Sequence, residues 1–302
     1  SKTNYFNNKE GNRKGAIMKI SVLPRFFRIH NSVMGSLSVI ISGWLFSHDW
    51  KILILGMLAY IFLASAGNVI NDIYDLEIDK INRPDRPLPS GAISLKEAKI
   101  IYSLLVILGL FTAFLSSLII SNFIPLIIAA IFAGVGVLYS AKLKPMGFIG
   151  NIVVGCSFSI GYIYGWAITG LVYNLAKIVT ILLFFVVSTT LLVAREIIKG
   201  IEDVEGDAVR NVKTLARSRG IPYASRMAAI FLMIAIIAFT MLPFIGIISL
   251  YFIPFMIVGD IAAFMSLVYI LKGFDYASKA SLYAKIGAFD GLVGFLIGVI
   301  LS

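Results

Sequence analysis

Of the 302 residues, 59% are hydrophobic and 14% are charged, about half the charged share of an ordinary soluble domain, which excludes a soluble globular protein and marks an integral membrane protein. The single cysteine, Cys156, excludes a disulfide framework and a cysteine-based metal site. The net charge of +10 would suit a nucleic-acid partner by size alone, but its distribution along the chain ties it to membrane topology instead.

Residues 1–17 are polar and basic and read as a disordered tail, native or appended ahead of Met18, with no function assigned. The remainder, 18–302, reads as one all-α membrane domain. Nine apolar stretches approach the ~20 residues a transmembrane helix needs, at roughly 26–47, 52–71, 97–120, 123–140, 149–171, 175–198, 225–246, 248–271 and 283–301. Loops between them are short, so no separate soluble module is expected. The runs also lack the alternation of a membrane β-barrel. Of the 26 Lys and Arg residues, all but Lys51 and Lys177 fall in the tail, on alternate loops or at the span ends that border them. This asymmetry puts the N-terminus and the long polar loops in the cytoplasm and the C-terminus on the opposite side. Span 1 is long and follows a basic flank, so no cleavable signal peptide is expected. His30 and Asn31 stand near its cytoplasmic boundary, as interfacial polar groups or as the rim of a pocket.

Span 2 runs into a polar stretch, N-V-I-N-D-I-Y-D-L-E-I-D-K-I-N-R-P-D-R-P-L-P-S-G, from Asn68 to Gly91. Asp72, Asp75, Glu77 and Asp79 fall within eight residues, with no helix breaker before Pro84. Asn71, Asp75 and Asp79 are spaced i, i+4, i+8 and share one helical face, with Asn68 and Asp72 one turn apart beside it. So many like charges at a helix end are costly unless cations or a ligand relieve them. Arg83 and Arg86 follow in a proline-rich segment that cannot continue the helix and should form an ordered loop.

Spans 3 and 4 carry almost no charge and read as packing elements. Tyr139, Ser140, Lys142 and Lys144 follow span 4 on the cytoplasmic side; Lys142 is the candidate phosphate ligand, and topological anchoring is the plainer reading of both lysines. Span 5 carries Gly150, Gly155, Ser157, Ser159, Gly161 and Gly165, which permit close helix approach. Span 6 ends in R-E-I-I-K-G-I-E-D-V-E-G-D, from Arg195 to Asp207. Arg195, Lys199, Asp203 and Asp207 again stand four apart, and Arg210, Lys213 and Arg217 follow. The register N-x-x-x-D-x-x-x-D at 71–79 returns as K-x-x-x-D-x-x-x-D at 199–207, four spans later. Two bundle halves thus each present an aspartate pair. Asp260 and Asp290 lie inside spans 8 and 9, as interhelical hydrogen-bonding groups or as functional acids.

Clustered carboxylates with an asparagine are hard oxygen ligands that suit Mg²⁺, and two facing aspartate pairs fit two ions bridging one diphosphate. Arginine and lysine nearby would complete the neutralisation. A diphosphate at the membrane boundary with apolar helices behind it implies an allylic lipid tail between the spans. The dry interior would protect a carbocation from water. Tyr74, Tyr139, Tyr162 and Tyr164 could offer aromatic faces to it, though packing is the commoner role of such rings.

These two motifs resemble those of the UbiA superfamily of intramembrane prenyltransferases, and the similarity covers nearly the whole chain from about residue 20. The resemblance implies that Asn71, Asp75 and Asp79, and Asp203 and Asp207, hold Mg²⁺, with Asp72 inside the first motif. It places the diphosphate against Lys199, Arg83 and Lys142, with Asn68, Arg86, Tyr139 and Lys213 also on the substrate. Within the superfamily the chain looks most like the archaeal ether-lipid branch, in which Arg195 stands where quinone-branch members more often carry tyrosine. That branch transfers a geranylgeranyl group from geranylgeranyl diphosphate to the free hydroxyl of geranylgeranylglyceryl phosphate, and Arg195 would suit a lipid acceptor that itself bears a phosphate. No obligate protein partner is expected. Two alternatives stand beside this reading: the same fold acting on an aromatic quinone precursor, and a cation transporter. A CDP-alcohol phosphotransferase also uses membrane aspartates, but its D-G-x-x-A-R element is missing.

Overall fold

The computed structural model describes residues 20–204 and 213–302, so the predicted tail and Asp207 lie outside the described residues. Among the described residues, nine helices of at least 15 residues follow one another: α1 (Ile29–Trp44), α2 (Trp50–Tyr74), α3 (Leu95–Ile119), α4 (Ile124–Leu138), α5 (Phe148–Ala167), α6 (Leu175–Glu202), α7 (Ile221–Met241), α8 (Ile253–Lys272) and α9 (Ala277–Ile300). There is no strand among the described residues.

Among the described residues, eight helical segments are long and apolar enough to cross a membrane, α4 qualifying with the irregular helical turns that extend it to Met146. The chain is thus a multi-pass membrane protein. The expected first span, 26–47, is shorter than the sequence suggested. Arg28 adopts a left-handed conformation (φ 48°) and separates a four-residue helix, Leu23–Phe26, from the 16-residue α1. Such a conformation ends a helix for any residue with a Cβ. A hydropathy window does not register it, because the backbone conformation of one residue leaves no mark on composition, and Phe26, Phe27 and Ile29 beside it are apolar. Prolines fix other boundaries: Pro222 and Pro254 occupy the first turns of α7 and α8, where the missing N–H costs nothing.

The surface is inverted relative to a soluble protein. Leu104, Ile107, Phe111 and Phe114 along α3 are exposed, whereas Ser32, Ser36, Ser38, Ser42 and Ser116 are buried. In lipid, apolar side chains gain nothing by facing inward, and small residues let helices approach. The predicted small-residue stripe of α5 meets α1: Ser42 donates to the carbonyl of Tyr162, and a Cβ on Gly165 would lie 2.4 Å from the Val39 carbonyl oxygen. Replacing Gly165 with alanine therefore requires the two backbones to part. Thermal unfolding in detergent should show a loss of about 1–3 kcal/mol, the usual cost of overpacking. The same change at Gly134, where no atom lies within 4 Å, should instead be neutral or mildly stabilising, since alanine favours helix. Equal behaviour of the two variants would refute the close packing of α1 on α5.

Helices α2–α5 and α6–α9 succeed one another in the same order, so that α2 and α6 each deliver a polar motif to the same side of the bundle. Away from that side, Phe184, Phe239, Phe252 and Phe295 close the bundle, with the Phe184 and Phe295 ring centroids 4.0 Å apart.

Candidate active site

The first motif holds its helical register through the end of α2. Backbone N–H groups of Asp75, Asp79 and Arg83 donate to the carbonyls of Asn71, Asp75 and Asp79 at 2.9, 2.8 and 2.8 Å. The ladder crosses the slight break at Asp75 and continues through a short helix, Leu76–Asn82, to Arg83, which caps it. Asn71, Asp75, Asp79 and Arg83 accordingly fall on one face, and all four line a large cavity between the helices. Glu77 points away and pairs with Lys80 at 2.7 Å in solvent.

Each buried carboxylate of the motif faces a cation from elsewhere in the chain. Asp72 and Asp79 are 4% and 6% exposed. Arg86, from the proline-rich loop, donates to both, at 3.2 Å to Asp72 and 2.5 Å to Asp79. Arg28 donates to Asp72 at 2.6 Å, so its strained backbone places a guanidinium on the motif. Asp75 accepts from Asn71 at 3.1 Å and from Lys144, which also reaches the Asn71 oxygen at 3.2 Å. Farther out, Arg25 hydrogen-bonds Asp85 at 2.5 Å and holds that carboxyl below its ordinary value. The loop is ordered as expected: Leu88 and Ile93 are buried, and Ser94 and Glu97 form a capping box that starts α3.

The second motif approaches from α6. Arg195, Glu196 and Lys199 line the same cavity. Lys199 donates to both Glu196 oxygens at 3.0 Å, while the Arg195 terminal nitrogen stands 3.7 Å from Glu196 and its Nε is buried with no partner. Tyr139 lines the wall within electrostatic reach of both Glu196 and Asp75, and so connects the two halves.

Several expected residues take other places. Lys142 is exposed and does not line the cavity; Lys144 does. The chain from Tyr139 to Leu143 forms a wide π turn, which rotates the register that a regular α-helix would have given. Asp203 extends the helical ladder by donating to the Lys199 carbonyl at 2.9 Å, but α6 ends one residue earlier and Asp203 stands exposed, away from the cavity lining. Lys213 is likewise exposed and outside the lining. Asn68 lines the cavity, and its amide donates to the Phe27 carbonyl at 3.0 Å. Asp260, on the far wall, accepts from Thr240 at 2.8 Å, whereas Asp290 does not line the cavity. Sequence reasoning missed Arg28, whose role depends on a contact across 44 residues, and Glu196, although its i, i+3 spacing to Lys199 marked it.

The cavity encloses about 1380 Å³ and runs from this polar mouth between the helices to Tyr162, Phe239 and Phe295. Among the described residues, seven basic side chains line it (Arg28, Arg83, Arg86, Lys144, Arg195, Lys199 and Lys285) against four acidic ones (Asp75, Asp79, Glu196 and Asp260). A charged end joined to a long apolar interior suits an anionic head with a lipid tail. Among the described residues, no three His, Cys, Asp or Glu side chains converge as a ready-made chelate. The donors present, carboxylates and an asparagine amide, nevertheless have the chemistry of a hard divalent cation, and lysine and arginine now sit against them as counter-charges.

Comparison with known proteins agrees with this arrangement. Residues 33–289 match the model of the UbiA prenyltransferase family. Digeranylgeranylglyceryl phosphate synthase of Saccharolobus solfataricus is 38% identical over 299 residues, covering 93% of this chain and 98% of that one. The synthase of Methanobrevibacter smithii is also 38% identical, over 89% of this chain and 94% of its own. A solved structure of digeranylgeranylglyceryl phosphate synthase superposes with a TM-score of 0.78 at 30% identity, covering 94% of this chain and 99% of that one. A UbiA homologue from Archaeoglobus fulgidus bound to GPP and Mg²⁺ shares the fold, with a TM-score of 0.66 at 16% identity over 90% of this chain and 99% of its own.

Proposed function

This chain belongs to the UbiA prenyltransferase family, and within it we propose that the chain transfers a geranylgeranyl group from geranylgeranyl diphosphate to the free hydroxyl of geranylgeranylglyceryl phosphate, forming the second ether bond of an archaeal lipid. The observation that carries this reading is the surplus of cations among the described residues that line the cavity, seven basic side chains against four acidic ones with Asp72 behind them on Arg28 and Arg86, and above all Arg195, whose Nε is buried without a partner. One diphosphate does not require so many. A diphosphate together with an acceptor phosphate does, and a planar guanidinium is suited to grip the latter. The names of the relatives in archaea favour the same substrate pair.

Asn71, Asp75 and Asp79 of the first motif would hold Mg²⁺, which would neutralise the diphosphate as it leaves; from the second motif the candidates are Asp203, exposed outside the cavity lining, and Asp207, outside the described residues. The protein's own groups do the rest. Arg83 and Lys199 bind the diphosphate at the mouth, and Lys144, released from Asp75 when substrate enters, can join them. The apolar interior takes the prenyl chain and keeps water from the allylic cation. Tyr139 lies between the two halves, where its ring and hydroxyl can orient the reacting carbon. The alternation of basic loops puts this mouth and the N-terminus on the cytoplasmic side and the C-terminus opposite.

The deciding experiment offers the purified protein geranylgeranyl diphosphate, Mg²⁺ and a mixed pool of geranylgeranylglyceryl phosphate and an aromatic quinone precursor, and identifies the product by mass spectrometry. The diether phosphate is expected. Prenylation of the aromatic acceptor alone would replace this reading with the quinone-type one.

A further inference from the structure

The transfer needs a group to take the proton from the acceptor hydroxyl, and we infer that Glu196 is that group. The inference rests on the ether-forming reading above. Four acidic side chains line the cavity among the described residues. Asp75 and Asp79 belong to the face proposed for the diphosphate and its cations. Asp260 lies on α8, on the far wall, hydrogen-bonded to Thr240. Glu196 is the remaining carboxylate, and it stands at the mouth with its side chain 22% exposed.

Its neighbours fix what would approach it. The Arg195 guanidinium lies 3.7 Å away and Lys199 holds both carboxylate oxygens at 3.0 Å, while Tyr139 is within electrostatic reach from the opposite wall. In a glycerol phosphate the reacting hydroxyl sits on the carbon next to the one that bears the phosphate ester. A phosphate gripped by Arg195 therefore presents that hydroxyl beside the adjacent residue, Glu196. Lys199 reaches the carboxylate from one side and orients it, and each oxygen retains a lone pair for a second partner.

The step balances without a further reactant. The bond between the prenyl C1 and the diphosphate oxygen breaks, its electron pair leaving with the diphosphate. A lone pair of the glycerol hydroxyl forms the new C1–O bond, and the resulting oxonium gives its proton to a Glu196 oxygen. Glu196 then releases the proton to water at the mouth. Because an oxonium is a strong acid, what this step asks of the acceptor is its placement beside the hydroxyl.

The test measures three quantities on the full chain in lipid nanodiscs: ether product, total loss of prenyl diphosphate, and geranylgeraniol, the alcohol formed when water captures the cation. For Glu196→Gln, ether formation should fall at least ~10²-fold, with KM for prenyl diphosphate unchanged. Loss of prenyl diphosphate should continue, so that the alcohol becomes the main product. Glu196→Asp, which keeps the charge but shortens its reach, should recover part of the ether. It also decides the matter if the glutamine variant does not fold. Ether formation within threefold of wild type in the variant measured would overturn the inference. So would a raised KM for prenyl diphosphate with ether and diphosphate loss falling together, which is the signature of Glu196 merely positioning Lys199. Failure of the wild-type protein to form any ether, with transfer to the aromatic acceptor, would instead overturn the function on which the inference rests.

Discussion

Asp75→Asn is expected to lower turnover by at least ~10³-fold, or about 4 kcal/mol of transition-state stabilisation, while the protein stays folded. The two halves of that statement have separate causes. Asp75 lines the cavity on the same helical face as Asn71 and Asp79, and its carboxylate is the most accessible of the motif's three inward acids, with 14% side-chain exposure. In the proposed site, removing its charge would remove a hard ligand and leave the diphosphate less well neutralised when it departs. Folding, by contrast, asks little of that charge. Its partner Lys144 is 37% exposed, so their ion pair contributes at most about 1 kcal/mol. Asparagine also keeps the shape and can still accept from Lys144. Single-turnover product formation, beside thermal unfolding of the same sample, checks both halves. Turnover within tenfold of wild type would remove Asp75 from the proposed metal site.

The first motif was legible because helical geometry converts spacing directly into direction: residues 71, 75, 79 and 83 are joined by an unbroken ladder of backbone hydrogen bonds. After span 4 there was no such spacing to use: Lys142 was the candidate by its place in the chain and by resemblance, and the π turn there brings Lys144 to the cavity lining instead. A wide turn has no composition signature, and the sequence Y-S-A-K-L-K offers both lysines equally. Sequence reading failed differently at α1, where the left-handed Arg28 divides what hydropathy reads as one span. Both misses are backbone conformations at helix ends, where the four unpaired carbonyls or N–H groups admit several solutions of similar energy. The pairing of Arg28 and Arg86 with Asp72 lay beyond sequence for another reason. It depends on how the entrance to α1 and the loop before α3 fold over the end of α2, a matter of tertiary approach. Glu196 was within reach of the sequence argument, three residues before Lys199, but attention to the four-residue spacing passed over it.

The distinction between a charge used in chemistry and one used in folding is sharpest at Arg86. Arg86→Ala should destabilise the protein by about 3–5 kcal/mol, the usual cost of stranding a buried charge. Among the described residues, Asp79 would be left 6% exposed with no basic side chain within 4 Å in place of Arg86, and Asp72 would keep only Arg28. Lysine at this position should restore little, because one ammonium cannot span two carboxylates as the planar guanidinium does. The proline-rich loop, drawn against α2 by this bridge, should loosen together with the buried Leu88 and Ile93, and limited proteolysis between Arg83 and Ser94 should report it. Adding Asp79→Asn to Arg86→Ala separates charge from packing. If the stranded carboxylate is the cause, the double variant will be more stable than Arg86→Ala alone, although it lacks one more native group. An additive loss would mean that Arg86 acts through the packing of its side chain, and that the motif tolerates its own negative charge without the loop.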